Sequence, residues 1–135
     1  MNRDGASGTT PSGPVSRPPS PERRRRYRQG HAAERIAALF LVAKGYRVLA
    51  RRAKTHLGEI DLIAVRGRRI AFVEVKARRS VATCEAAITP LLGARVRRAA
   101  SLWLGRHPRY QQHEQGYDLV FVVPWRLPLH ILNAL

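Results

Sequence analysis

One cysteine, Cys84, stands in 135 residues. No internal disulfide can form, and no multi-cysteine zinc pattern is available. Acidic residues are also scarce: nine Asp and Glu stand against twenty-five Lys and Arg, giving a formal charge of +16 and a pI near 11.7. That balance makes a polyanion, and nucleic acid first of all, the expected partner. Aromatic side chains are 7% of a chain that is 44% apolar, so the core must come from Ala, Val, Leu and Ile. No run approaches the roughly 18 apolar residues of a spanning helix. The opening MNRDGASGTT has no apolar stretch of the secretory type, so no membrane partner and a cytoplasmic location are expected. The length suits one core, since single domains commonly hold about 100–150 residues.

What is present divides at about residue 21. Residues 1–21 contain five of the nine prolines, and only Met1 and Val15 are large and apolar. Burial so meagre cannot offset ordering entropy, and a disordered tail is expected there, with one domain over 22–135. A basic run, Arg23 to Arg26 with Arg28, leads into Ala33, Ile36, Ala37, Phe40 and Leu41 at helical spacing, ending at Lys44-Gly45. Tyr46–Ala50 alternates as a short strand, followed by a loop at 54–58. Residues 59–65 and 70–77 are β-rich runs joined by a hairpin loop at 66–69. Thr89-Pro90 is an N-cap and first helical position, and Leu92, Val96, Ala99 and Trp103 recur at helical period until Gly105. Residues 117–123 form a last strand before Pro124, and the remainder is too short for another large element. The predicted order is αβββαβ, an α/β fold.

In so basic a chain the informative residues are acids inside apolar segments, because a buried carboxylate costs several kcal/mol unless it is compensated. A four-residue loop at 66–69 would pair Val65 with Ile70 and set Asp61 opposite Glu74, while a two-residue turn would make them diagonal neighbours on one face. Facing carboxylates repel, and a divalent cation that takes oxygens from both relieves them, with Mg2+ or Mn2+ the expected ion. Lys76, two residues after Glu74, shares its face. It is one of three lysines among the twenty-five basic residues. A metal between two carboxylates beside a lysine can activate water and neutralise charge on a phosphate. Glu74 and Lys76 alone also read as an ordinary ion pair on an exposed sheet face. Glu34, in phase with Ala38 and Leu41, stands at the edge of the first helix's apolar stripe, where it either approaches the metal or is a surface charge among arginines. Asp118 opens the last strand and reads as structural. Glu59 adjoins the loop and reads as solvated.

At Gly58-Glu59-Ile60-Asp61-Leu62-Ile63-Ala64 and Phe72-Val73-Glu74-Val75-Lys76-Ala77-Arg78 the chain resembles the bacterial YraN family, of the restriction-endonuclease-like superfamily whose motif joins an Asp to Glu/Asp-x-Lys. The likeness runs from about Tyr27 to the C-terminus and takes in Gly30, Glu34, Gly45-Tyr46, Ala86, Thr89-Pro90, Ala99-Ala100 and Asp118. It implies a mixed sheet flanked by helices. It also implies that Asp61 and Glu74 hold the metal, that Lys76 assists the water, and that Glu34 supports the site, as in the archaeal Holliday-junction resolvases. DNA, branched or otherwise structured, is then the expected substrate ahead of RNA, and cutting both strands would favour a homodimer. Three positions depart from the pattern. Ile60 stands where the superfamily motif has proline, as is usual for the YraN type. Arg52-Ala53 stands for the family's Asn-Trp, and Leu92 for a basic residue after Thr-Pro.

Other signals are weaker. The five histidines show no metal-binding spacing. Cys84 reads as a small buried residue. Arg78, Arg79, Arg95 and Arg98 are the arginines expected to track phosphates, with Arg97 beside them. Tyr46, Trp103, Tyr110 and Trp125 are expected to pack rather than to stack on bases. Three function classes follow. The first is a metal-dependent endonuclease, the second a nuclease-fold module that binds nucleic acid without turnover, and the third an Arg-rich ribosome-associated protein. The third needs only the charge and leaves the paired acids unexplained.

Overall fold

The computed structural model describes residues 17–135, so most of the expected tail lies outside the described residues. The first helix, α1, spans Pro21–Ala43. Its start is built locally: the Ser20 hydroxyl accepts from Arg23 N at 3.3 Å, Pro21 fills the first turn, and Glu22 opposes the helix dipole. Pro21, which composition assigned to the tail, is thus helical. The arginine run is part of α1 rather than a lead-in to it, since an exposed Arg is a good helix former. Gly45 ends the helix at φ 93, a left-handed position that glycine adopts without a Cβ clash. The buried row of α1 is Ala33, Ala37 and Leu41 with Glu34. Ile36, expected on the core stripe, falls off this narrow row and is 44% exposed.

Five strands follow in one mixed sheet of order β1-β2-β3-β4-β5: β1 Arg47–Thr55, β2 Gly58–Arg66, β3 Arg69–Ala77, β4 Glu114–Val122 and β5 Leu129–Ile131. Only β3 and β4 run parallel, and the second helix, α2 at Pro90–Gly105, makes the crossover between them. Thr89 caps α2 by accepting from Leu92 N at 3.2 Å, as its sequence predicts. Alternation along β2, β3 and β4 sends Ile63, Phe72, Leu119 and Phe121 to α2, and Leu62, Ala64, Ala71, Val73 and Val120 to α1. The result is a helix–sheet–helix sandwich. Each large side chain in these layers contributes about 1.5–3 kcal/mol by burial.

Three boundaries differ from expectation. β1 runs on to Thr55 because an edge strand tolerates the outward charges of Arg51 and Lys54. β4 begins at Glu114, where its N–H donates to Arg68 O at 2.8 Å, so Asp118 lies inside the strand rather than at its start. The short β5, unread in the sequence, pairs Leu119 with Ile131.

The β2–β3 hairpin turns at Gly67-Arg68, with Arg66 paired to Arg69 and Val65 to Ile70. The turn has two residues, yet it keeps Val65 opposite Ile70, and this register carried one step past Leu62–Val73 would set Asp61 opposite Glu74. The ladder ends at Leu62–Val73, and the Val75 N–H donates instead to Asp61 Oδ2 at 2.8 Å. Asp61 also marks a switch within β2. Ile60 packs on the α2 side and Leu62 on the α1 side, although residues two apart share a face in a regular strand. Across β1, Arg51 pairs with Leu62 and Ala53 with Ile60, so Arg52 stands opposite Asp61, with φ 49.

Candidate metal centre and nucleic-acid cleft

Because β2 is irregular at Asp61, its carboxyl sits between two groups of charges. Toward α1, oxygens of Glu34, Glu59 and Asp61 lie within 4.8 Å of one another. Three carboxylate oxygens so grouped are the hard donors that a divalent cation such as magnesium takes. Glu34 is buried, and its Oε2 lies 3.0 Å from Arg52 Nε without hydrogen-bond alignment. Arg52 Nη1 donates instead to His31 Nε2 at 2.8 Å. A buried carboxylate oxygen lacking a hydrogen bond, beside two further acids, fits a hard cation.

Toward α2, Glu74 Oε1 is held by Lys76 Nζ at 3.2 Å and Arg95 Nη2 at 3.1 Å. Glu74 is itself buried, so this is not a pair on an exposed sheet face. The charges act on Asp61 together. Burial is the main cause that pushes its carboxyl up to about 7, the Glu74 and Glu34 charges add to the rise, and the Val75 N–H and Lys76 oppose it. Burial raises Glu34 as well, against the lowering pull of Arg52 and His31.

Of the four arginines expected to track phosphates, Arg78, Arg95 and Arg98 line one cleft with Lys76 and the first turn of α2. Arg79 turns into a neighbouring groove. Arg95 has a second role as the ion-pair partner of Glu74. Leu92, at the family's basic position, packs in the core and is not free to contact a phosphate.

Asp118 belongs to a different construction on the α1 side of the sheet, and is fully buried. It accepts from Arg69 Nη1 at 2.8 Å and Nη2 at 2.7 Å, from His130 Nε2 at 2.8 Å and from Asn133 N at 2.9 Å. Lys44 Nζ closes the chain on His130 Nδ1 at 2.6 Å. Burial alone would raise the Asp118 carboxyl, but the donors from Arg69, His130 and Asn133 together hold it at about 2. Any side chain on Gly116 would overlap the Arg69 guanidinium, which accounts for the glycine there. Asp118 is structural, as its sequence position suggested, but as the anchor of a buried network rather than as a strand end.

A model of the uncharacterised protein family UPF0102 matches residues 33–122, which include every acid and lysine of the site. The chain belongs to this family. A UPF0102 protein of Mesorhizobium japonicum is 49% identical over 116 residues, 86% of this chain and 93% of the relative. One from Rhodopseudomonas palustris strain BisB5 is 48% identical over 119 residues, 88% and 91% of the two chains. One from Chelativorans sp. is 50% identical over 111 residues, 82% and 90%. The resemblance carried by the GEIDLIA and FVEVKAR segments therefore holds at the level of the family.

Within this UPF0102 chain Glu59 is exposed, as its place beside the turn predicts, although one of its oxygens joins the cluster with Glu34 and Asp61. Its alternation in phase with Asp61 was the available signal for that contact. The residue that sequence reasoning missed is Arg52. Arg52 carried no local signal, since nothing in the sequence shows that it stands across from Asp61. Among the described residues, no helix is long and apolar enough to cross a membrane.

Proposed function

We propose that this protein is a metal-dependent endonuclease of the restriction-endonuclease-like superfamily that hydrolyses phosphodiester bonds in DNA in the cytoplasm. The observation that carries the reading is the convergence of Asp61 with Glu34 and Glu59 in a chain of charge +16, with Glu74 and Lys76 behind Asp61: Glu34 and Glu59 line a pocket with Arg26, His31, Arg52 and Lys54, and Lys76 lines the separate arginine cleft. Asp61 would be the shared ligand of a magnesium or manganese ion, held together with Glu74 or with Glu34 and Glu59. Such an ion supplies a Lewis acid for a phosphate oxygen and makes water a better nucleophile. Lys76, anchored on Glu74, positions the water or neutralises charge on the phosphate. Arg78, Arg95 and Arg98 hold the strand by its phosphates, which carry no base information, so the backbone rather than the sequence is read.

The test is incubation of the purified protein with duplex, single-stranded and junction DNA, and with RNA, in magnesium, manganese or chelator. Cleavage that requires the ion and is lost in Glu74→Gln is expected. No cleavage of any substrate, with no divalent-ion binding in the presence of nucleic acid, would overturn the reading. One observation favours a second reading, a binding module without turnover: Arg52 and Arg95 already sit on Glu34 and Glu74 as tethered cations.

Two predictions separate binding from chemistry. Lys76→Ala should leave divalent-ion affinity unchanged in calorimetry while slowing cleavage about 100-fold, because Glu74 keeps Arg95 as a partner. If Lys76, Arg78, Arg95 and Arg98 each meet a phosphate, four contacts give a salt slope of about −3.6. Affinity should then fall roughly 100-fold between about 50 and 200 mM salt. A flat titration would exclude phosphate contacts as the main source of affinity.

A further inference from the structure

Trp125 follows Pro124 in the turn between β4 and β5, and its side chain is fully exposed. Trp125 therefore does not pack, contrary to the expectation from sequence. Its backbone has φ 63, a left-handed value at which glycine or asparagine is usual in a turn. A bulky side chain held there is strained, and strain of this kind gathers at functional sites. The other tryptophan, Trp103, is buried and stacked on His107 at 3.8 Å.

Trp125 forms one wall of a groove of about 570 Å³, with Pro124 and Ile36 as apolar neighbours and Arg78, Arg79 and Arg126 as cations. No acidic residue lines it. The sheet explains this grouping. Ala77 pairs with Val122 at the ends of two parallel strands, and Arg78 N donates to Val122 O at 3.1 Å, which brings Arg78-Arg79 beside the 123–126 turn. Arg78 also lines the cleft that holds Lys76, Arg95 and Arg98, so the groove continues from the candidate cleavage site.

We propose that this groove docks an unpaired, single-stranded segment of nucleic acid, one base stacked on the Trp125 indole and its phosphates on Arg78, Arg79 and Arg126. The inference rests on the reading of the partner as nucleic acid and adds which part of the substrate lies where. An indole offers a base a stacking face, and arginines along a groove track a backbone without regard to sequence. A duplex presents phosphates but hides its base faces. A second copy of this chain would bring the same three arginines against these, so like charge argues against self-association here.

The experiment titrates the full chain, Trp125→Gly and Trp125→Tyr with an oligodeoxythymidine of about 12 nucleotides, a blunt duplex, a flapped duplex and anionic phosphatidylserine vesicles. The single strand and the flap should quench the exposed tryptophan of the wild type. Trp125→Gly should bind both about tenfold more weakly, with blunt-duplex affinity within twofold, and Trp125→Tyr should recover most of the loss. Relief of the left-handed strain should also raise the melting temperature of Trp125→Gly, an effect opposite to that of losing a packing residue. Unchanged single-strand affinity in Trp125→Gly, with wild-type duplex binding intact, overturns the stacking groove and leaves the nuclease reading standing. Absence of binding to any nucleic acid overturns both. Vesicle binding that is lost in Trp125→Gly while oligonucleotide binding persists makes the groove a membrane contact and overturns the inference.

Discussion

Asp61→Asn should yield a protein that melts higher at pH 8 than the wild type and no longer cleaves. In the folded chain burial, with the Glu74 charge, raises the Asp61 carboxyl from 3.8 to about 7. An unfolded Asp gives up its proton near pH 4, while the folded one keeps it to about 7, so the folded state binds more protons across that interval. Stability therefore falls as pH rises from about 4 to 7 and levels off above. The loss is on the order of a few kcal/mol. Asn keeps an oxygen for the Val75 N–H and removes the charge, so the gain should be absent below about pH 4 and complete above about pH 7. A gain of about 2 kcal/mol corresponds to roughly 5–10 °C in melting temperature. Metal affinity of the wild type should rise with pH through the same region, and cleavage by the variant should fall by about 10²–10³-fold or more. Melting curves at three pH values with ion titrations on the same samples check this, and a variant less stable than wild type at pH 8 would contradict it.

Asp118→Asn should do the opposite. Asp118 satisfies a largely buried Arg69 through two hydrogen bonds, and removing its charge leaves that guanidinium without a counter-ion. Breaking a buried pair from one side costs about 3–5 kcal/mol, or roughly 10–20 °C in melting temperature. Because its carboxyl is held down at about 2 when folded, its contribution is complete above pH 4 and lost as pH falls toward 2. A double variant, Arg69→Met with Asp118→Leu, should recover only part of the loss, since it removes the ion pair but leaves His130 and the Asn133 N–H without their acceptor. If thermal melts show Asp118→Asn as stable as wild type at pH 7, the network contributes nothing to the fold.

The two carboxylates show what is and is not legible in a chain. Both lie in β-rich apolar runs, and the sequence alone marks both as needing compensation. For Asp61 the parity of the hairpin went part of the way: counting from the Gly67-Arg68 turn puts Lys76 on the face of Glu74 and Asp61 one step beyond the Leu62–Val73 pair, where the ladder ends and its carboxylate accepts from Val75 N–H. For Asp118 the compensating groups come from residues 69, 130 and 133, and no local rule connects them. Glu34 falls between these cases. Its helical phase pointed inward, but its burial depended on α1 lying on the sheet along the narrow Ala33–Ala37–Leu41 row.

By itself the sequence determined the elements and the chemistry within reach of one hairpin: strand period, the Thr89-Pro90 cap, the glycine end of α1, and the alignment of Glu74 with Lys76. These depend on backbone geometry over a few residues, which repeats wherever the same pattern occurs. Only the tertiary structure decided which arginine meets which acid. Twenty-two arginines are chemically alike in the sequence, and Coulomb attraction selects partners by distance in space and by the loss of water around them. The packing of α1 and α2 on opposite faces set Arg52 on Glu34 and Arg95 on Glu74, the parallel pairing of β3 with β4 set Arg69 on Asp118, and Arg78, Arg79 and Arg126 were left around Trp125.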